Sequence, residues 1–359
     1  MESTVLFASV NAQVLEKQYT RVVPLEAPKP RTRFREIGID MFGTEERIEY
    51  LKKYGNHCMS FSHFQDEMHY FDISGIGYIA YRKKWGRRFV LADPVCHEND
   101  REYLLGEFMK DRIGTTFVQI SEPVAELIHE KFGLYSSQFG IETIVDLKTW
   151  DLKGKKKQVL RTAINKARKD GIRIVELEES SEFDDALSRK WMRTRKVKRK
   201  EVVFLIRNKD QKYQEGTRRF YAFMGDEALG FIHFDPVYEN GKLIGYVPNI
   251  SRFSPDFKQG IFYPLMVHAM ETFKNEGVPY LYLGISPLVV DEKDKPCESK
   301  LFKFFVRQFY KFGNYFYSFK GLHFTKSRFQ GREVKTFCAH AEMLPTRAFI
   351  TVFHMCNVI

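Results

Sequence analysis

Glu142 and Asp146 lie four apart in Phe139-Gly-Ile-Glu-Thr-Ile-Val-Asp-Leu, a run that reads as a strand. On a strand that spacing puts both carboxylates on one face. Glu142 suits a general base, or a clamp on an ammonium group. A surface carboxylate paired with a lysine fits equally well there, and Asp146 reads as structural. Further along, Lys326 and Arg328 alternate with Thr325 and Ser327. In an extended segment they point the same way and grip a phosphodiester; a lysine guarding a sheet edge is the plainer reading. Leu283-Gly-Ile-Ser-Pro287 follows a strand. Gly284 permits close approach of a substrate and Ser286 offers a hydroxyl donor, although a plain strand-to-loop turn has the same composition.

The elements that must hold these residues read as an α/β (α+β) chain. Residues 1–35, rich in proline around Pro24–Pro30, read as a lead-in. Residues 36–152 follow the order α, β, β, α, β, α, β. A basic helix, 155–169, ends at Gly171 and forms the core of a connection over 153–171. Its apolar stripe is Val159, Leu160, Ala163, Ile164 and Ala167. Residues 172–359 repeat the element order, with strands at 172–177, 218–224, 228–234, 245–250 and 280–283. Helices are expected at 183–195, 261–275 and 297–312, and a last strand near Tyr315–Phe319. Low residue identity between the halves makes this a repeated order, not a repeated sequence. It predicts two similar domains side by side, each a mixed sheet flanked by helices.

The 359 residues make a prior of about two domains. With 43% hydrophobic and 29% charged residues, the chain has an ordinary globular composition. Its five cysteines are scattered without a CxxC pair, which argues against a disulfide framework or a cysteine zinc site. His57, His63 and His69, six apart, match no metal-ligand spacing, and His233 reads as a packed histidine before a base. No metal and no cofactor are expected. The N-terminus lacks the pattern of a secretory signal, and no apolar run reaches the roughly 18 residues that span a bilayer. An integral membrane protein is therefore not expected.

The net charge of +11 is concentrated. Residues 153–173 carry nine basic residues and one acid; residues 189–200 carry eight basic residues and none. The remainder is slightly acidic. Two such patches favour a polyanion, either nucleic-acid phosphates or anionic lipid. Arg161 and Asn165 share one side of the basic helix with Lys166, Arg168 and Lys169 beside them. With Arg195, Lys196 and Lys198 they are the candidate nucleic-acid contacts. On a wheel of 300–312, Lys300, Lys303, Arg307 and Lys311 fall within about 80°. Phe302, Phe305, Val306, Phe309 and Phe312 lie opposite. An interfacial helix fits this, but a core helix with a solvated basic edge is favoured.

From about Gly55 to Phe353 the chain resembles the soluble C-terminal part of the bacterial phosphatidylglycerol lysyltransferases, the multiple peptide resistance factor family. The resemblance rests on Ala92-Asp-Pro94, Phe139–Leu147, Leu160–Gly171, Leu283–Leu288 and Tyr317–Phe329, in order and spacing. It implies two tandem GNAT-like domains with the chemistry in the second. It also implies transfer of an amino acid from aminoacyl-tRNA to a lipid headgroup hydroxyl, at the cytoplasmic membrane face and by a peripheral enzyme. Lys326, Glu142 and Ser286 are then the catalytic candidates. Arg252, Gly284, Asn249, Lys320, Arg328 and Tyr317 are the substrate-binding ones, with Arg252 as a headgroup phosphate ligand. Family members often carry an acid three residues before the arginine, where this chain has Asn249; the amino acid specificity is expected to differ from lysine if that acid holds the donor. The stretch Arg252–Pro264 lacks the glycine loop that cradles the CoA pyrophosphate, and Pro264 offers no N–H, so CoA is not expected. The alternatives are a thioester-dependent acyltransferase acting on a small amine or peptide, and a non-catalytic tRNA- or membrane-binding module.

Overall fold

The structure, a computed structural model, describes residues 43–179, 182–194, 200–255, 257, 260–293, 295–312 and 319–357. The lead-in, Tyr317, Arg195, Lys196 and Lys198 lie outside the described residues. The described residues belong to one compact unit.

The chain opens with α1 (Thr44–Tyr54), a 3-10 turn (Ser60–Phe64), β1 (His69–Ile73), β2 (Gly77–Lys84), β3 (Arg87–Leu91) and the short β4 (Val95–Cys96). α2 (Arg101–Met109), β5 (Thr115–Ile120), α3 (Glu122–Phe132) and β6 (Tyr135–Asp146) follow. The second half runs α4 (Gln158–Lys169), β7 (Ile172–Leu177), α5 (Glu182–Arg193), β8 (Arg218–Met224), β9 (Glu227–Glu239) and β10 (Lys242–Phe253). It ends with α6 (Phe262–Asn275), β11 (Tyr280–Pro287), α7 (Lys300–Phe312), α8 (Phe319–Ser327), β12 (Arg332–His340) and α9 (Thr346–Met355).

The strands join one mixed sheet in the order β1-β2-β3-β5-β12-β6-β11-β10-β9-β8-β7, with β4 on β2. The pairs β3–β5 and β10–β11 are parallel; the other neighbours are antiparallel. β12 lies between β5 and β6, so a strand from the end of the chain completes the sheet begun by its first half. The strands of both halves thus belong to a single sheet.

Helices cover both faces. On one, α4 and α6 bury Leu160, Leu265, Met270 and Phe273 against Phe220, Phe234, Tyr246 and Leu281, with Tyr246 stacked on Phe273 at 4.3 Å. On the other, α7 and α9 bury Phe302, Val306 and Val352 against Val247, Tyr282 and Cys58.

Three expectations are corrected. The segment from Phe319 is helical, not a strand, although residues 313–318 lie outside the described residues. Lys326 and Arg328 therefore do not alternate on a strand: Lys326 is in the last turn of α8 and Arg328 just beyond it. Lys303 was expected at a solvated edge, yet it is buried and bonded to Glu298 at 2.7 Å; the inward arc of α7 is Phe302, Lys303 and Val306. The helix packs on an ion-paired lysine and leaves most of its phenylalanines outside, Phe304 among them beside Lys311 on the wheel.

Candidate functional site

β10 and β11 pair only at Gly245–Tyr280 and Tyr246–Leu281. Beyond that they diverge. A register shift at Pro248/Ile250 redirects β10. β11 is broken by a shift between Tyr282 and Ile285, where Gly284 takes φ +69. That left-handed backbone is natural for glycine and strained for other residues.

α8 runs through this opening. Its first residue, Phe319, packs in the α7–α9 core, while Phe329, just past its end, packs in the α4–α6 core. Trp150 Nε1 donates to the Phe329 carbonyl at 2.9 Å and fixes that end. Lys326 is thereby held between the two faces of the sheet. Its Nζ donates to the Ile285 main-chain oxygen at 2.5 Å. A β-carbon on Gly284 would lie 3.8 Å from Nζ, so the glycine keeps the space beside the amine open.

Ile285 pairs across the ladder with Glu142, and Ser286 with Ile141. Glu142 is 8% exposed. Its Oε2 accepts from the Cys58 thiol at 3.2 Å and its Oε1 from Gln119 Nε2 at 2.9 Å. His57 Nε2 stands 3.8 Å from Oε1. Burial, and then the Glu142 charge, push the Cys58 thiol well up, so it donates as a neutral group. Burial lowers Lys326 to about 8, against the opposing pull of the Glu142 carboxylate. Ser286 Oγ is buried and has no hydrogen-bond partner among the described residues. The structure thus brings Lys326, Glu142 and Gly284 together, with Ser286 the next residue after Ile285 on the strand.

Sequence reasoning missed His57, Cys58 and Gln119. Gln119 carried one signal: a lone polar residue near the end of the apolar strand Thr116–Ile120. Its backbone sits at φ +57, and its side chain is fully buried. Such strain in a non-glycine residue persists where the surroundings enforce it. Cys58 and His57 carried none, because their segment reaches Glu142 through tertiary packing alone.

The other candidates are placed differently. Arg252 is buried, ion-paired to Glu201 and stacked at 4.0 Å on Trp191. Its guanidinium links β10, α5 and residue 201. Asn249 accepts from the Arg207 amide at 2.9 Å and donates to Ser62 Oγ at 3.0 Å, holding three segments together at the β10 bulge. Arg207 pairs in turn with Asp235 at 2.7 Å, both side chains fully buried. Lys320 is exposed and donates to the Lys311 carbonyl at 3.2 Å, at the end of α7. Asp146 accepts from the Lys148 amide at 2.9 Å in a turn. His233 is buried against Asp184 and Tyr221, and burial lowers it to about 4.

A groove of about 940 Å³ lies between α4 and the start of α6. Lys155, Lys156, Lys166, Asp170 and Arg328 line it together with Gly260 and apolar side chains such as Val159, Phe257 and Ile261. Arg328 is two residues from Lys326, which ties the groove to the opening in the sheet. Of the α4 candidates, Lys166 faces the groove and is held by Asp170 at 3.3 Å. Arg161 donates through Nη1 to the carbonyls of Leu152 and Gly154, at 2.5 and 2.8 Å. Asn165, Arg168 and Lys169 are exposed outside the groove lining.

An open mixed sheet, flanked by helices and splayed between two parallel strands around a buried lysine, defines a GNAT-like α/β fold. The same fold is found in the solved structure of L-PGS from Bacillus licheniformis, with a TM-score of 0.71 and 22% identity over 88% of this chain and 97% of that one. It recurs in the C-terminal domain of a putative lysylphosphatidylglycerol synthetase from Agrobacterium fabrum, with a TM-score of 0.71 and 21% identity over 86% and 96%. Residues 48–340 match the family described as phosphatidylglycerol lysyltransferase, C-terminal, and the chain belongs to that family. A phosphatidylglycerol lysyltransferase of Bacillus subtilis (strain 168) is 25% identical over 299 residues, which is 80% of this chain and 34% of that protein. The chain spans about a third of the length of the curated relatives it matches. Among the described residues, no helix is long and apolar enough to cross a membrane.

Proposed function

We propose that this chain is an aminoacyltransferase that moves an amino acid from aminoacyl-tRNA onto the headgroup hydroxyl of a phosphatidylglycerol-like lipid. It acts as a peripheral enzyme at the cytoplasmic face of the membrane. The observation that carries the reading is the placement of Lys326. It sits in the opening of the sheet, between a basic groove on one face and the α7 side on the other, one strand away from Glu142.

The chemistry follows from what an aminoacyl ester needs. The carbonyl is already activated, so the protein must orient the two substrates, accept the hydroxyl proton and stabilise the developing oxyanion. Glu142, held by two neutral donors, is the proton acceptor. The Lys326 ammonium is the oxyanion donor. The buried Ser286 hydroxyl supplies a second donor. As the hydroxyl oxygen bonds to the carbonyl carbon, its proton passes to Glu142. The ester bond to the tRNA ribose then breaks, and the ribose oxygen regains that proton.

The donor enters along the α4 groove, where Lys155, Lys156, Lys166 and Arg328 meet phosphates. Arg168 and Lys169 extend the basic track, Arg195, Lys196 and Lys198 remain candidates on the same terms, and Tyr317 remains a candidate substrate contact. Gly260 opens that groove, but the helix that follows carries Pro264 in its first turn, buried and without an N–H. This supports tRNA over CoA as the donor.

The test is transfer from total tRNA charged with radiolabelled amino acids to phosphatidylglycerol vesicles, with products resolved by thin-layer chromatography. The expected result is a labelled lipid that RNase abolishes. Label that survives RNase pretreatment, or appears from an acyl thioester instead, overturns the donor assignment. Running single amino acids then names the residue transferred.

A further inference from the structure

α7 turns a broad aromatic arc outward. At 100° per residue, Phe304, Leu301, Phe312, Phe305 and Phe309 occupy an arc of about 140°. They are 53%, 40%, 69%, 48% and 37% exposed. Isolated apolar residues on a surface are ordinary, but five large ones on a single helix face form a continuous patch, the mark of an interaction site. The neighbouring α9 runs alongside, with Phe349 4.6 Å from Phe302 and Phe353 6.3 Å from Phe309. It adds Ile350, 52% exposed.

The charge around the patch selects the partner. Lys300 and Lys311 border the arc on one side, and Lys320 bonds to the end of the same helix. α7 contains no acidic residue. Two copies of this face would bring their lysines together, which opposes self-association. Phenylalanines at acyl depth with lysines at the headgroups describe a helix lying in the plane of an anionic bilayer.

The position fits as well. α8 begins beside the end of α7, and from Lys320 to Lys326 it rises about 9 Å. We infer that the aromatic face of α7 docks on an anionic bilayer and presents lipid headgroups to Lys326 from the α7 side, opposite the α4 groove. This rests on the lipid-transferase reading and adds to it the surface that meets the membrane.

The test is flotation of the whole chain with vesicles of phosphatidylcholine, with and without phosphatidylglycerol. The variant is F304S/F305S/F312S, whose side chains are outside the core. Its partition onto mixed vesicles is expected to fall at least about tenfold. Its thermal unfolding, and its transfer to a short-chain phosphatidylglycerol in monomeric solution, should be unchanged. K300E/K311E should lose the preference for phosphatidylglycerol vesicles over phosphatidylcholine ones. Equal partition of the triple variant and the parent overturns the inference. So does a parent oligomer that the triple variant dissociates, because the face is then a protein interface. If neither lipid is aminoacylated by the parent yet partition still depends on the phenylalanines, the transferase reading falls and the docking surface stands.

Discussion

Lys326 Nζ donates to the main-chain oxygen of Ile285, the residue directly across the ladder from Glu142. A helix and two adjacent strands thus fix an amine and a carboxylate in one buried opening. The arrangement needs the two parallel strands to separate, and the bulges near Asn249 and Gly284 separate them. Past Tyr246 and Leu281 the two strands no longer pair, and there the lysine bonds the Ile285 carbonyl.

The pH dependence of transfer follows from the role of that amine. Lys326 is lowered to about 8 by burial. As the oxyanion donor it acts in its charged form. Transfer, corrected for spontaneous ester hydrolysis, should hold at neutral pH and fall as pH rises through about 8. A rate that climbs through the same range marks Lys326 as a base instead.

The same group weakens the fold at neutral pH. Its value is lower in the folded state than the ordinary lysine value of 10.5. Between the two the unfolded chain binds more protons, so stability rises with pH. Lys326→Met should therefore be more stable than the parent at pH 7, by about 3 kcal/mol. The difference should shrink as pH is raised from 8 toward 10.5. Urea titrations of both proteins at several pH values measure it; a constant difference across that range contradicts the assignment.

How much of this was legible in the sequence differs by residue. The strands 172–177 and 218–224 and the basic helix were readable, because period and end signals agree there. Glu142, Ser286 and Lys326 were identified as candidates from residue type, spacing and resemblance. Their meeting point was not legible, since it depends on α8 crossing the sheet. β12 was missed altogether: its alternation is weak, and its partners β5 and β6 are about 200 residues away in the chain. Arg252 reads as a free cation in one dimension, because Trp191 and Glu201 reach it only through packing.

The shell of Glu142 separates a hydrogen-bonding role from a covalent one. Cys58→Ser preserves a neutral donor and should keep transfer within about threefold, whereas Gln119→Leu leaves Oε1 without its donor and should cost about tenfold or more. Single-turnover rates decide it. Loss of transfer in Cys58→Ser, with trapped label on the parent protein, would mean a thiol intermediate.

Arg207 and Asp235 form a wholly buried pair beside the β10 bulge. Removing one partner strands the other charge. Arg207→Met should cost about 3–5 kcal/mol, and the double variant Arg207→Met/Asp235→Leu should recover most of it. Denaturant unfolding of the three proteins gives the coupling. Additive losses would show that the pair is not acting as a unit.

The most direct measurement is single-turnover transfer of a radiolabelled amino acid from charged tRNA to phosphatidylglycerol, comparing the parent chain with Lys326→Met. Binding of the charged tRNA is followed in parallel. The prediction is RNase-sensitive labelled lipid from the parent, at least about a hundredfold less from the variant, and unchanged tRNA binding. Equal transfer by the two proteins contradicts the assignment of Lys326. No labelled lipid from the parent with any amino acid contradicts the proposed reaction itself.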